Sequence, residues 1–364
     1  MASQLFSPLQ IGPLAVANRL VVAPMCQYSA NDGVMSDWHI AHLTSMASSG
    51  PGMVVIEATA VERIGRISHG CTGLYSDDAQ HAMAHVIRVA KSVAPHVAFG
   101  VQLAHAGRKA SSPRPWDGGS QMSPANGGWQ TVAPSALPFD TNWQTPMELD
   151  DTGMERIINA FRDAAVRAVD AGVDAIELHM AHGYLMHSFI SPLSNKRTDR
   201  WGGDLVARMQ FPLAVTSAVR HAVPDHVALG ARITGTDWHE QGLTADDAVT
   251  QATLLKNAGL DFVCVSSGGA VPGVKIPVAP SYQVPFAARV KQESGIVTRT
   301  VGMINDPHVA ERILQDGQAD LIALGRAMLD NPTWPRQAAI ALGDEPFYPK
   351  QYERGGPKLW PLKK

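Results

Sequence analysis

Eight short apolar runs, rich in Val, Ile and Leu and separated by polar or amphipathic stretches, constrain this chain more than anything else in it. They fall at 20–25, 53–58, 97–103, 173–179, 227–233, 260–266, 296–302 and 319–325. Near-continuous apolar runs of this length suit strands buried on both faces, which is the condition of strands in a parallel sheet. Between them lie helical candidates such as 151–171, where Ile157, Ile158, Phe161, Ala164, Ala165 and Ala168 recur at spacings of three and four. Eight strands alternating with helices predict an α/β protein, a single (β/α)8 TIM barrel, and 364 residues fit one such domain with insertions. An open doubly wound sheet would need a Gly-rich first turn; the chain has Ala23-Pro24-Met25-Cys26 there.

The longest interruption, 104–149, carries Pro113, Pro115, Gly118, Gly119, Gly127, Gly128 and Pro134 and is expected to form a lid or hairpin over the barrel mouth. Trp116, Trp129 and Trp143 within it either pack the lid or line a pocket. After Pro346 the tail holds Pro349, Gly355, Gly356, Pro357 and Pro361, which rules out a long helix. The expected division is a barrel over 1–345 and a tail over 346–364. Lys plus Arg number 30 against 33 Asp plus Glu, so no excess of positive charge marks a nucleic-acid or anionic-membrane surface. Three scattered cysteines without a C-x-x-C argue against a disulfide framework or zinc knuckle and fit the reducing cytoplasm. No apolar run reaches the roughly 18 residues that span a bilayer, and the first residues show neither a basic start nor a long apolar core, so an unexported, soluble protein is expected.

In such a barrel the chemistry sits at the C-terminal ends of the strands. The fourth run closes with His179, His182 and Tyr184, three proton donors at one strand end. They suit an enzyme that holds an oxygen while charge builds on it and then delivers a proton nearby. A zinc site, as in a metal-dependent barrel hydrolase, and a pair of hydrogen-bonded core histidines are the competing readings of the same spacing. Arg232 is a fixed cation in an apolar strand; its partner is either Glu57 or Glu177, or an electron-rich ligand. Gln102 matches the amide edge of a heterocycle, and Ala58 leaves room beside it. Gly302, Gly325 and Arg326 after the last two strands, with Ser267 and Gly268 after the sixth, predict a phosphate-bearing cofactor. His39 and His42 on the first helix are expected at the surface or an interface, and Cys71 and Cys264 as small buried fillers.

Taken together these residues resemble the old yellow enzymes, flavin-dependent ene-reductases, in their bacterial thermophilic-like branch. The resemblance spans nearly the whole chain. It rests on Ala17-Asn18-Arg19, Ala23 to Tyr28, Glu57-Ala58-Thr59-Ala60, Gln102 to Lys109, His179 to Tyr184, Ser191 to Asn195, Gly325-Arg326 and Gln351 to Gly355. It departs at Asp204 and Ala207, where the family usually has Ser and Asn, which bears on loop order after strand four. The resemblance implies non-covalent FMN across the barrel mouth. Ala23, Pro24, Met25 and Cys26 would lie on its ring, Ala58 and Gln102 on its pyrimidine side, Arg232 near N1, and Gly325 and Arg326 on its phosphate. NADPH would pass a hydride to the flavin. An activated alkene such as an enone or nitroalkene would then take that hydride at its β-carbon, its oxygen held by His179 and His182, with Tyr184 protonating the α-carbon. Nitro compounds and nitrate esters are alternative acceptors. Tyr28 would meet the substrate from the other side, and Arg354 would enter the pocket of a neighbouring subunit in a homodimer or a tetramer built of dimers.

Overall fold

The computed structural model describes residues 3–360; Met1, Ala2 and the last four residues, with the tail's Pro361, lie outside the described residues. Eight parallel strands close into a barrel in chain order: β1 (Leu20–Val22), β2 (Met53–Ala60), β3 (Ala98–Ala104), β4 (Ala175–Met180), β5 (Ala228–Thr234), β6 (Phe262–Ser266), β7 (Val297–Val301) and β8 (Leu321–Leu324). Closure runs through Ile322, Ala323 and Leu324 beside Leu20, Val21 and Val22. The principal outer helices are α1 (Asp37–Ala47), α2 (Asp77–Val93), α3 (Asp151–Asp170), α4 (Gln210–Ala222), α5 (Ala245–Asn257), α6 (Val284–Ser294), α7 (Pro307–Gln315) and α8 (Trp334–Leu342). The expected TIM barrel is the observed one.

Local signals explain the helix limits. Asp150 accepts the Gly153 N–H at 2.7 Å and opens α3, whose Ile157, Phe161, Ala164, Ala165 and Ala168 form the buried stripe. Strand residues alternate between two apolar sets. Leu20, Val22, Val54, Ile56, Val101, Leu103, Ile176 and Leu178 pack outward with the helices. Val21, Met53, Val55, Ala98, Ala175, Ala228, Phe262, Cys264, Val301 and Ala323 fill the interior. Ile11 and Val16 join this inner set from an antiparallel hairpin, Leu9–Ile11 with Leu14–Val16, that the eight-run pattern did not reveal.

The 104–149 insertion is not a hairpin: its regular pairing is a parallel contact between Val132–Ala133 and Met147–Glu148. Trp129 packs it down by donating to Ile64 O at 2.8 Å under the Arg66 guanidinium, whereas Trp116 is exposed and meets Tyr28 edge-on with ring centroids 5.9 Å apart. In the loop after β4, Asp204 caps the short helix Leu205–Arg208 by accepting the Ala207 N–H at 2.9 Å, so the departure there preserves order. Among its described residues the tail holds only a short 3₁₀ segment, Lys350–Gly355.

Candidate active site

The inward positions near the C-terminal end of the barrel stack in two polar tiers. In the lower tier Gln102 of β3 donates to Glu177 of β4 at 2.6 Å, and Arg299 of β7 pairs with the other Glu177 oxygen. Glu177 therefore belongs to Arg299. Glu57 bonds His39 at 3.0 Å, so neither carboxylate expected beside Arg232 is there. The physical reason is register: Arg232 stands beside His179, one inward position above Glu177, while a bulge in β2 turns Glu57 away. His39 is correspondingly buried within the chain, a correction to the surface or interface position expected for it.

The upper tier is the proton-donor cluster. His179 meets His182 edge-on at 5.1 Å between ring centroids and Tyr184 at 4.9 Å. His179 Nδ1 accepts the Ala181 N–H at 3.3 Å, which leaves its proton on Nε2. His182 Nε2 lies 2.8 Å from Ser266 Oγ, which also accepts from Arg232 Nη2 at 3.2 Å. His182 has φ of 61°, a left-handed conformation held from several sides. Gly183 N–H donates to His187 Nδ1 at 2.7 Å; His187 is paired with Asp237 at 3.0 Å, both fully buried; and Lys109 Nζ donates to His182 O at 2.8 Å and Gly269 O at 3.2 Å.

Electrostatics follow from this packing. Burial, then the nearby Arg232 cation, pushes both His179 and His182 well below the usual histidine range, so both rings are neutral donors. Burial pushes the Tyr184 phenol well up, which keeps its proton in place. Burial and the neighbouring Arg108 lower Lys109 to about 8.

Beside the cluster opens a cavity of about 700 Å³, lined by Ala23, Pro24, Met25, His182, Arg232, Ser267, Gly302, Gly325 and Arg326 among others. Of the expected cofactor contacts, Cys26, Ala58, Gln102 and Gly268 do not line it. Ala58 and Gln102 are register partners across β2 and β3, and Cys26 and Tyr28 follow on from the lining segment. Cys26 is raised well above the ordinary thiol range by burial. Gly302 has φ of 121°, and a Cβ there would strike Gln283 Nε2 at 2.5 Å, so glycine is required. Arg354 is exposed on the tail and absent from this lining. Tyr282, Gln283, Asn305 and Trp334 line the cavity without having been singled out. Gln283 accepts from Ser267 Oγ at 2.7 Å and donates to Val301 O at 2.8 Å, tying β6 to β7.

An FMN-type group fits these residues. Among the described residues Arg232 has a buried Nε without a hydrogen-bond partner and no carboxylate beside it, so the cavity wall carries a cation that suits an electron-rich ligand. Around the two histidines the charged neighbours are Arg232 and Lys109, and among the described residues no group of three or more His, Cys, Asp or Glu could hold a metal.

A parallel barrel with this mouth defines a cofactor-dependent enzyme. Residues 4–345 match the model of the NADH:flavin oxidoreductase / NADH oxidase family, whose cofactor is FMN. The chain is 42% identical over 357 residues to an NADPH dehydrogenase of Geobacillus thermodenitrificans (strain NG80-2), covering 98% of this chain and 99% of that protein. It is 40% identical to an NADPH dehydrogenase of Listeria innocua, at 97% and 99% coverage. The solved structure of morphinone reductase superposes with a TM-score of 0.78 at 26% identity, over 96% of this chain and 92% of that one. This chain belongs to the FMN oxidoreductase family, the old yellow enzymes, and is an enzyme of flavin-dependent oxidoreduction.

Proposed function

We infer that the protein is an NADPH-dependent ene-reductase acting on activated alkenes such as enones and nitroalkenes. One observation carries the reading: two neutral imidazoles and a protonated phenol converge at the end of β4 beside Arg232, a cation that no carboxylate of the described residues pairs. FMN, when bound, supplies the two-electron carrier that accepts a hydride from NADPH and passes it to the alkene.

The residues do the rest. His179 offers Nε2–H to the substrate oxygen, and His182 offers Nδ1–H when its Nε2 accepts the Ser266 hydroxyl proton. Both donors are in place before the reaction and strengthen as negative charge gathers on that oxygen, so they favour the transition state over the ground state. The Lys109 and Arg232 cations add to the same potential. Tyr184 keeps its proton until the α-carbon needs one. Tyr28 approaches from the Cys26 side. Ala23, Pro24, Met25, Arg232, Ser267, Gly302, Gly325 and Arg326 hold the cofactor, and Cys26, Ala58, Gln102 and Gly268, which lie outside the cavity lining, come to it only as its ring settles against the mouth. Arg354 completes a neighbouring subunit's pocket in a cytoplasmic homo-oligomer. Compared with a nitrate-ester or nitro reductase role, the placed phenol favours a substrate carbon that must be protonated.

The test is an anaerobic visible spectrum. The yellow protein bleaches with NADPH and recovers its colour with cyclohexenone at a rate far above that without enone. Bleaching without recovery would leave an NADPH oxidising flavoprotein and remove the ene-reductase reading.

A further inference from the structure

Glu57 is a buried carboxylate that the proposed chemistry does not use. Inward positions on β2 alternate through Met53 and Val55, and regular pleating would aim Glu57 into the barrel. The bulge between Ile56 and Ala58 gives that place to Ala58, opposite Gln102, and sends Glu57 back toward α1. There it accepts from His39 Nε2 at 3.0 Å and from the Gln27 backbone N–H. His39 is itself fixed: its Nδ1 accepts the Ser36 N–H at 3.0 Å, so its proton is on Nε2 and the ring is neutral. Glu57 is thus held by two neutral donors, and among the described residues no Lys or Arg lies within ion-pair distance of it.

The segment Ala23–Gln27 is a thin wall. Ala23 and Met25 line the large cavity on one side and, on the other, a small pocket shared with Glu57, His39 and His42. Gln27 is stitched to that wall by its Nε2 bond to Met25 O at 2.8 Å and to α1 by the Trp38 Nε1 bond at 3.0 Å.

We propose that Glu57 is a charge placed behind the cofactor wall to hold down the reduction potential of the flavin, with His39 as its positioning residue. A fixed negative charge disfavours adding electrons nearby, opposing the Arg232 cation on the far side of the cavity. Its field already reaches the wall: after burial and Cys71, Glu57 adds to the rise of the Cys26 thiol. The inference rests on FMN occupying the large cavity, and FMN content separates failure of that assumption from failure of the proposal.

The experiment equilibrates FMN-loaded protein with a reference dye of known potential. Glu57→Gln is expected to shift the reduced-to-oxidised ratio about tenfold toward reduced, equivalent to about 30 mV for a two-electron couple. His39→Gln, which keeps the charge, is expected to stay within about twofold of the parent. A Glu57→Gln protein with full FMN and an unmoved ratio overturns the proposal. So does a His39→Gln shift as large as that of Glu57→Gln, because packing rather than charge would then set the potential. Should the single variant misfold, the double variant Glu57→Gln with His39→Gln gives both side chains a donor and an acceptor, and the same tenfold shift is required of it.

Discussion

The two imidazoles have different supports, and single-residue variants should separate them. His179 depends on the Ala181 backbone for its tautomer, whereas His182 depends on the Ser266 hydroxyl. His182→Ala removes one donor from the oxygen site and is expected to retain FMN while slowing flavin reoxidation by cyclohexenone about 10²- to 10³-fold. Ser266→Ala leaves the ring but frees its tautomer, so the loss should be smaller and should appear also as weaker binding of p-hydroxybenzaldehyde, read from the flavin difference spectrum. Equal losses in both variants would place Ser266 itself on the substrate. His179, His182 and Tyr184 were legible in the sequence because they follow one another off one strand end. Lys109 and Gln283 were not assigned roles, because their bonds go to backbone carbonyls and a serine distant in sequence, at positions with no periodicity to mark them.

At the scale of elements, the pair that joins β4 to β7 is the exposed weakness of the barrel. Arg299 and Glu177 are both almost wholly inaccessible, with Gln102 satisfying the second Glu177 oxygen and the Phe262 ring 5.5 Å from the guanidinium. Arg299→Met would strand a buried carboxylate, a change that typically costs about 3–5 kcal/mol, while replacing both charges is far milder. The expected result is a large fall in the urea midpoint for Arg299→Met, mostly recovered in Arg299→Met with Glu177→Gln; no recovery would mean that Arg299 is held by something other than this carboxylate. The strands were legible from their apolar runs. This pair was not, although Arg299 interrupts β7 as Arg232 interrupts β5, because pairing across a barrel depends on shear and register that one strand's sequence does not encode. The bulge that diverts Glu57 was hidden for the same reason.

For the whole molecule, the histidines that must stay neutral make folding sensitive to acid. Burial lowers His42 on α1 from 6.5 to about 4, and burial likewise lowers His179 and His182 at the other end of the site. A depressed folded-state value means that the unfolded chain binds the proton first. Stability is therefore complete above about pH 6.5 and falls as the pH drops through the window down to about 4, where His42 itself protonates. For His42 alone the full window corresponds to about 3 kcal/mol, and the step from pH 7 to pH 5 to about 2 kcal/mol. His42→Gln is neutral at every pH, so it should lose less stability than the parent between pH 7 and pH 5 in parallel urea titrations. Because the acid-labile groups sit on both sides of the cofactor cavity, FMN release is expected to accompany the loss, and release should begin at a lower pH in His42→Gln than in the parent. Identical acid profiles for the two proteins would show that His42 is solvated and that the acid sensitivity resides in the β4 pair alone.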